Sequence, residues 1–120
     1  MKNYFSLLVA LPFFTTVAFA QNQITKRVEQ FSNEQVKVWK TIIYPTSKQS
    51  LSMHRHENNR VLVALSPGLL KITNDKGKIH YLRLEKDKAY FLRKDRPNEL
   101  HKDENITSHP IKVMVIEFKK

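Results

Sequence analysis

The feature that most constrains the fold is a series of short segments rich in β-branched and aromatic residues, divided by turn residues at short intervals. No segment carries a sustained helical period with a capping residue, so the pattern predicts strands rather than helices. The predicted strands cover residues 36–44, 51–56, 60–65, 69–73, 78–84, 89–92 and 111–118. Seven or eight short strands at this spacing indicate an all-β sandwich or barrel.

The first twenty residues predict a secretory signal peptide. Lys2 supplies a positive start, residues 4–17 are mostly apolar, and residues 18–20 read Ala-Phe-Ala, a small-x-small cleavage site. An uncleaved membrane anchor is the weaker alternative, because the run is short for a span of about 20 residues and Pro12 interrupts it. We expect a mature chain that begins at Gln21, has no membrane span after cleavage, and is periplasmic or secreted.

The 100 residues after position 20 are the size of a single domain. The chain has no cysteine, so an exported form depends on burial and strand pairing without disulfides. Loss of Lys2 leaves 20 basic and 11 acidic residues, a net charge of +9. Export argues against nucleic acid as a partner, and the scattered lysines favour a solvated basic surface over a dedicated polyanion site.

Residues 21–35 are polar, with Ile24, Val28 and Phe31 as their only large apolar side chains. They predict an N-terminal arm or an edge strand ahead of a barrel formed by residues 36–120. An exposed sheet edge would also suit a homodimer.

Two histidines separated by one residue, His54 and His56, mark the candidate site. In an extended segment both imidazoles lie on the same face, since side chains alternate with a period of two. A third histidine, His101, follows after several predicted strands, with Asn105 four residues later. His80 and His109 have no partner at ligand spacing and are interpreted as surface or edge residues.

With these residues the chain resembles the cupin superfamily, whose members are small double-stranded β-helix (jelly-roll) barrels. The matching parts are His54-Arg55-His56 with Gly68 ending the next strand, and the segment from His101 to Asn105. The likeness extends over residues 36–118. Within the superfamily the chain looks like small, exported single-domain cupins that read His-Arg-His, then Arg-Val, then Ala-Leu and a glycine.

The resemblance implies that His54, His56 and His101 bind a divalent metal inside the barrel. The family's fourth ligand, a glutamate, is missing, because Arg60 or Val61 stands where it is expected. Lys48 replaces a common leading glycine, and residues 97–99 depart from the second motif. Three imidazoles are sufficient ligands for Zn, Fe, Mn, Ni or Cu and leave positions open.

Three residues near the histidines have alternative interpretations. Arg60, if it points inward, needs an anion between itself and the metal and would bind a carboxylate or phosphate; otherwise it pairs with a surface acid. Glu99 replaces the missing carboxylate if its segment is extended. Asn105 is placed with the barrel motif as a ligand-binding residue.

Two functions are consistent with this pattern. One is a binding module for a small anionic or sugar-like ligand, with metal or as a degenerate metal-free barrel whose histidines bond to each other and to water. The other is a metal-dependent small-molecule enzyme, an oxygenase or isomerase. No catalytic residue is assigned, since the chain has no cysteine and no Gly-x-Ser-x-Gly motif.

Overall fold

The structure is a computed structural model that describes residues 25–45 and 53–120. The predicted signal peptide, Lys48 and the first two residues of the predicted strand 51–56 lie outside the described residues. The described residues contain no helix, so they contain no helix that is long and apolar enough to cross a membrane. The all-β prediction is confirmed.

Eight strands run through the described residues. They are β1 (Lys26–Ser32), β2 (Val36–Ile43), β3 (Arg60–Ala64), β4 (Gly68–Asn74), β5 (Ile79–Leu84), β6 (Ala89–Leu92), β7 (His101–Asn105) and β8 (Ile111–Phe118). Their β-branched and aromatic content explains why they form strands, and polar turns such as 75–78 and 85–88 end them. Most predicted bounds agree with the structure to within a residue or two.

The strands form two antiparallel sheets. One has five strands in the order β1-β2-β8-β3-β6, and the other has three in the order β5-β4-β7. β1 pairs with β2 as an edge strand, with an irregular register between Glu29 and Phe31. The turn after β1 is held by Asn33, whose side-chain oxygen accepts hydrogen bonds from the backbone of Gln35 and Val36.

The core lies between the two sheets. Trp39, Leu84, Ile111 and Val113 are almost completely buried there, and each large apolar side chain contributes about 1.5–3 kcal/mol relative to exposure. Val38 is also buried although it faces the other side of β2 from Trp39. β2 therefore buries a side chain on each of its faces.

The segment 53–59 differs from the strand predicted for 51–56. It makes one isolated antiparallel bridge, between His54 and His101, and is otherwise irregular. The backbone of His54 bonds to β7, whereas that of His56 bonds to the loop before β7 at Asp95. Because successive residues bond to different elements, no continuous ladder forms.

Candidate metal centre

Four side chains converge at one end of the space between the sheets. The donor atoms of His54, His56, His101 and Asp103 all lie within 4.8 Å of one another. His54 Nε2 is 3.1 Å from His56 Nε2 and 3.4 Å from Asp103 Oδ2. His101 Nε2 is 3.6 Å from the other Asp103 oxygen. The structure thus brings the three predicted histidines together and adds a carboxylate.

Backbone pairing places these donors. The amides of His54 and His101 each donate to the other's carbonyl at 2.8 Å, so the two residues form a hydrogen-bonded antiparallel pair whose side chains share a face. His56 and Asp103 lie two residues from His54 and His101 respectively. The period of two carries each of them towards the same space.

The contacts that His54 makes in this group have the spacing of donors to one divalent metal ion. Two donors about 2.1 Å from one ion are roughly 3.0 Å apart at a right angle and roughly 3.4 Å apart at a tetrahedral angle. The contacts of His54 with His56 and Asp103, at 3.1 and 3.4 Å, fall in that range. Three imidazoles and one carboxylate form a donor set suited to Zn, Mn, Fe, Ni or Cu.

Asp103 was not predicted as a ligand. The sequence carries a signal for this ligand in the segment from His101 to Asn105, because a residue two positions after a histidine in a strand lies on the same face as that histidine. Burial is the largest influence on the pKa of Asp103 and would raise it, but the hydrogen bond with His54 and the neighbouring histidines together lower that pKa below its ordinary value. The side chain is therefore a carboxylate at neutral pH, as a metal ligand must be.

Asp95 holds two members of the cluster from the loop before β7. Its Oδ2 atom accepts a hydrogen bond from the His56 backbone amide at 2.7 Å and lies 3.1 Å from His101 Nδ1. A carboxylate only accepts, so this contact favours a proton on Nδ1 of His101, which leaves Nε2 available to the cluster.

Arg60 points into the barrel, because β3 turns Arg60, Leu62 and Ala64 inward. Its side chain is 9% exposed, and its Nη1 atom is buried without a hydrogen-bond partner among the described residues. Burial, and to a smaller extent the charge of Arg27, lowers the pKa of Arg60, while Asp95, Asp103 and Glu117 raise it. A guanidinium nevertheless stays protonated at neutral pH.

Burial is the main cause that lowers the pKa of His56 from 6.5 to about 4, with Arg60 and the other two histidines adding to it and Asp103 opposing it. His56 is therefore neutral at pH 7. A neutral imidazole is the form that binds a metal.

Glu99 and Asn105 lie outside the group of four donors. Glu99 precedes β7 in a turn after Asn98, whose φ of 63° breaks the extended geometry, and its carboxylate accepts a hydrogen bond from Asn74. Asn105 is buried, and its side-chain nitrogen donates to the backbone carbonyls of Ile43 and His109. The bonds of Asn105 join β7 to β2 and to the loop before β8.

The cluster opens into a cavity of about 1230 Å³. Apolar side chains from both sheets, such as Leu62, Leu70 and Val115, line its depth. His80 lies on the edge strand β5, exposed as expected, and also lines this cavity. His109 lies elsewhere, with Nε2 at 3.1 Å from the Pro67 carbonyl.

Solved structures with a similar fold are cupins. A cupin domain from Bordetella pertussis Tohama I has a TM-score of 0.68 and 23% identity, covering 80% of this chain and 94% of that one. A Cupin_2 domain of an XRE family transcriptional regulator from Enterobacter cloacae has a TM-score of 0.59 and 18% identity, covering 82% and 99%. An RmlC-like cupin from Methanocaldococcus jannaschii has a TM-score of 0.58 and 13% identity, covering 78% and 79%.

No protein-family model and no curated protein match the sequence. The likeness to solved structures is one of fold, and it confirms the predicted double-stranded β-helix of the cupin type.

Proposed function

We propose that this chain is a cupin-fold protein that binds a divalent transition metal through His54, His56, His101 and Asp103, and a small anionic ligand through Arg60. The observation that carries the proposal is the convergence of four donor atoms within 4.8 Å. In the absence of an ion, the His54 ring lies within hydrogen-bonding distance of His56 and Asp103. A bound cation would replace these contacts with metal–ligand bonds.

The chain's own residues prepare the site for the metal. Asp95 keeps the Nε2 atom of His101 directed at the cluster, and burial keeps His56 neutral. When bound, the metal acts as a Lewis acid that polarises a ligand oxygen. Three imidazoles and one carboxylate leave positions open for such an oxygen in a six-coordinate ion.

Arg60 supports the anionic part of the proposal. A buried guanidinium with an unpartnered nitrogen costs free energy unless an anion or water satisfies it. Arg60 borders the cavity near His56, so an oxyanion bound there would contact both the guanidinium and the metal centre. Its planar donors fit a carboxylate or a phosphate bidentately.

Metal content tests the proposal. The purified protein is stripped with a chelator, reconstituted separately with zinc, nickel and manganese, dialysed, and analysed by mass spectrometry. We expect about one equivalent of at least one metal in the parent and in His109→Ala, whose histidine lies outside the cluster. His101→Ala should lose most of it. A parent that retains less than about a tenth of an equivalent of every metal would refute the metal site.

We also propose that the protein is exported, on the basis of the signal-like residues 1–20. Expression of the full chain in a bacterial host followed by intact-mass measurement tests this. A mature protein that begins at Gln21 is expected, and an unprocessed chain would contradict export.

An enzymatic role is a second candidate, and the position of His80 favours it. On the three-stranded sheet His80 pairs with Ile72, and Ile72 pairs with Asp103, so all three side chains share the inner face. His80 is then a titratable group beside the cavity that is not part of the metal centre. If the protein is an enzyme, His80→Gln should reduce turnover with metal content unchanged.

A further inference from the structure

The cationic residues that line the cavity lack acidic partners. Arg27 and Arg60 lie on the five-stranded sheet, and five others belong to surrounding segments: Arg55, Lys76, Lys78, Arg93 and Arg96. Within the described part of the chain, none of the seven lies within 4.0 Å of a carboxylate. Among the described residues, the cavity is therefore lined by more cationic side chains than carboxylates, seven against five.

Most cavity carboxylates, in contrast, are already engaged. Asp95 and Asp103 contact the histidines of the metal centre. Glu99 accepts a hydrogen bond from Asn74, and Glu117 accepts one from Asn58. The negative groups thus stabilise the cluster and its supporting loops, and the positive groups are left to face a ligand.

Arg27 is the best-defined of the outer cations. Its guanidinium carbon lies 4.1 Å from the centroid of the Trp39 ring, a cation–π contact that holds the group over the ring. Trp39 is itself 2% exposed, so the platform is rigid. The edges of the stacked guanidinium carry its N–H donors, and they have no hydrogen-bond partner among residues 25–45 and 53–120.

Arg27 and Arg60 occupy separate places on the inner face of the sheet. Arg27 on β1 pairs with Thr41 on β2. Arg60 on β3 pairs with Glu117 on β8, and Glu117 in turn pairs with Lys37 on β2. The two rows are four residues apart along β2, about 13 Å. One carboxylate at the deep position would therefore leave the outer arginine without a partner, in a cavity of about 1230 Å³.

We infer that the ligand is a dianion, with one carboxylate or phosphate group on Arg60 beside the metal centre and a second on Arg27 above Trp39. The inference rests on the proposed anion site at Arg60 and names the class of ligand that this site accepts. Burial is the main cause that lowers the pKa of Arg60, and the positive charge of Arg27 adds a small contribution in the same direction. A dianion between the two cations removes the repulsion between them, and a monoanion removes only part of it.

A chain-length series tests the inference. Zinc-loaded protein is titrated at constant ionic strength with acetate and with α,ω-dicarboxylates from malonate to suberate, and affinities are taken from protein NMR chemical shifts. We expect one dicarboxylate longer than malonate to bind at least about tenfold more tightly than acetate. Arg27→Gln should reduce that preference to about twofold, the statistical factor for two equivalent ends, while acetate binding is unchanged.

Lys112→Gln is the matched control, because Lys112 lies on the outer face of the same sheet and does not line the cavity. It should keep the dicarboxylate preference. If Lys112→Gln loses the preference for dicarboxylates as much as Arg27→Gln does, general charge attraction is the cause and the inference is overturned. The inference is also overturned if Arg27→Gln keeps the preference. Arg27 is exposed on an edge strand, so its replacement leaves the core intact.

The experiment also separates this inference from the function on which it rests. Suppose that acetate binds, that Arg60→Gln abolishes this binding, and that no dicarboxylate is preferred. That result supports the anion site and refutes the dianion. If neither acetate nor any dicarboxylate binds, both fail. Arg60→Lys, which keeps the charge at that position, distinguishes loss of the anion contact from misfolding.

Discussion

At the scale of single residues, Asp95 holds one of the four donors in place without belonging to the group. Its carboxylate meets His101 Nδ1 at 3.1 Å and also accepts from the His56 backbone. Replacement by asparagine removes the charge that fixes the histidine tautomer. We expect Asp95→Asn to weaken zinc affinity about 10- to 100-fold, measured by competition with a chromophoric chelator.

Asp87→Asn provides the control for this change. Asp87 is exposed in the turn between β5 and β6, far from the metal centre, and its φ of 66° is one that asparagine also adopts. The zinc affinity of the Asp87→Asn variant should equal that of the parent. An unchanged affinity in Asp95→Asn would show that Asp95 does not orient His101.

His56 makes stability depend on pH. Its pKa is about 4 in the folded protein and near 6.5 when the chain unfolds, so the unfolded state binds the proton more readily. Stability is therefore present in full above pH 6.5 and is lost as the pH falls towards 4. In metal-free protein, denaturant unfolding across this window should show a pH slope that His56→Asn reduces by up to about 1.4 kcal/mol per pH unit. Equal slopes in the two proteins would contradict this assignment.

At the scale of elements, the start of β4 depends on a close approach. A Cβ atom on Gly68 would collide with the side chain of Ile111 at the start of β8. We expect Gly68→Ala to lower the free energy of unfolding by about 1–3 kcal/mol, measured by urea denaturation.

Ile111→Ala tests the cause, because it removes both side-chain carbons that lie nearest to the added Cβ. Alone it should cost about 2–5 kcal/mol. Combined with Gly68→Ala, it should cost less than the sum of the two changes. Strict additivity would mean that the collision is not the source of the loss.

Local patterns in the sequence were sufficient to predict the strands and the shared face of His54 and His56. They failed where turn geometry decides the direction of a side chain. The inward position of Arg60 depends on the turn 57–59, which sequence leaves undefined. Glu99 shares the parity of His101 in sequence, but its amide bonds back to Arg96 in a turn before β7 and its carboxylate accepts a hydrogen bond from Asn74.

Pairing between distant segments was also beyond prediction from one sequence. The contact of His54 with His101 depends on the register of a bridge between distant segments of the chain. A shift of one residue in that register would turn one of the two histidines to the opposite face. Asp103 could have been found by extending the period of two from His101. Asp95 carries no comparable signal, because it lies in a loop whose course is set by its bonds to residues 56 and 59.

At the scale of the whole molecule, the proposed metal would add a connection between the two sheets. His101 and Asp103 belong to the three-stranded sheet, whereas His54 and His56 lead into the five-stranded sheet. Metal at 100 times its dissociation constant should raise the free energy of unfolding by about 2.7 kcal/mol, measured by denaturant titration with and without zinc.

Two variants, His109→Ala and His101→Ala, distinguish this stabilisation by zinc from unspecific stabilisation by salt. His109→Ala should gain as much from zinc as the parent does, and His101→Ala should gain little. A gain of the same size in His101→Ala would place the stabilising metal elsewhere.

The bridge between His54 and His101 would also set the time at which the protein acquires the proposed metal. The two pairs of donors flank β3 to β6 in the sequence, so a long loop must close before they meet. An unfolded chain offers an ion only the neighbouring imidazoles of His54 and His56, and affinity from all four donors exists only in the finished barrel. Loading is then the last event in the maturation of each molecule, and it records that the barrel has closed.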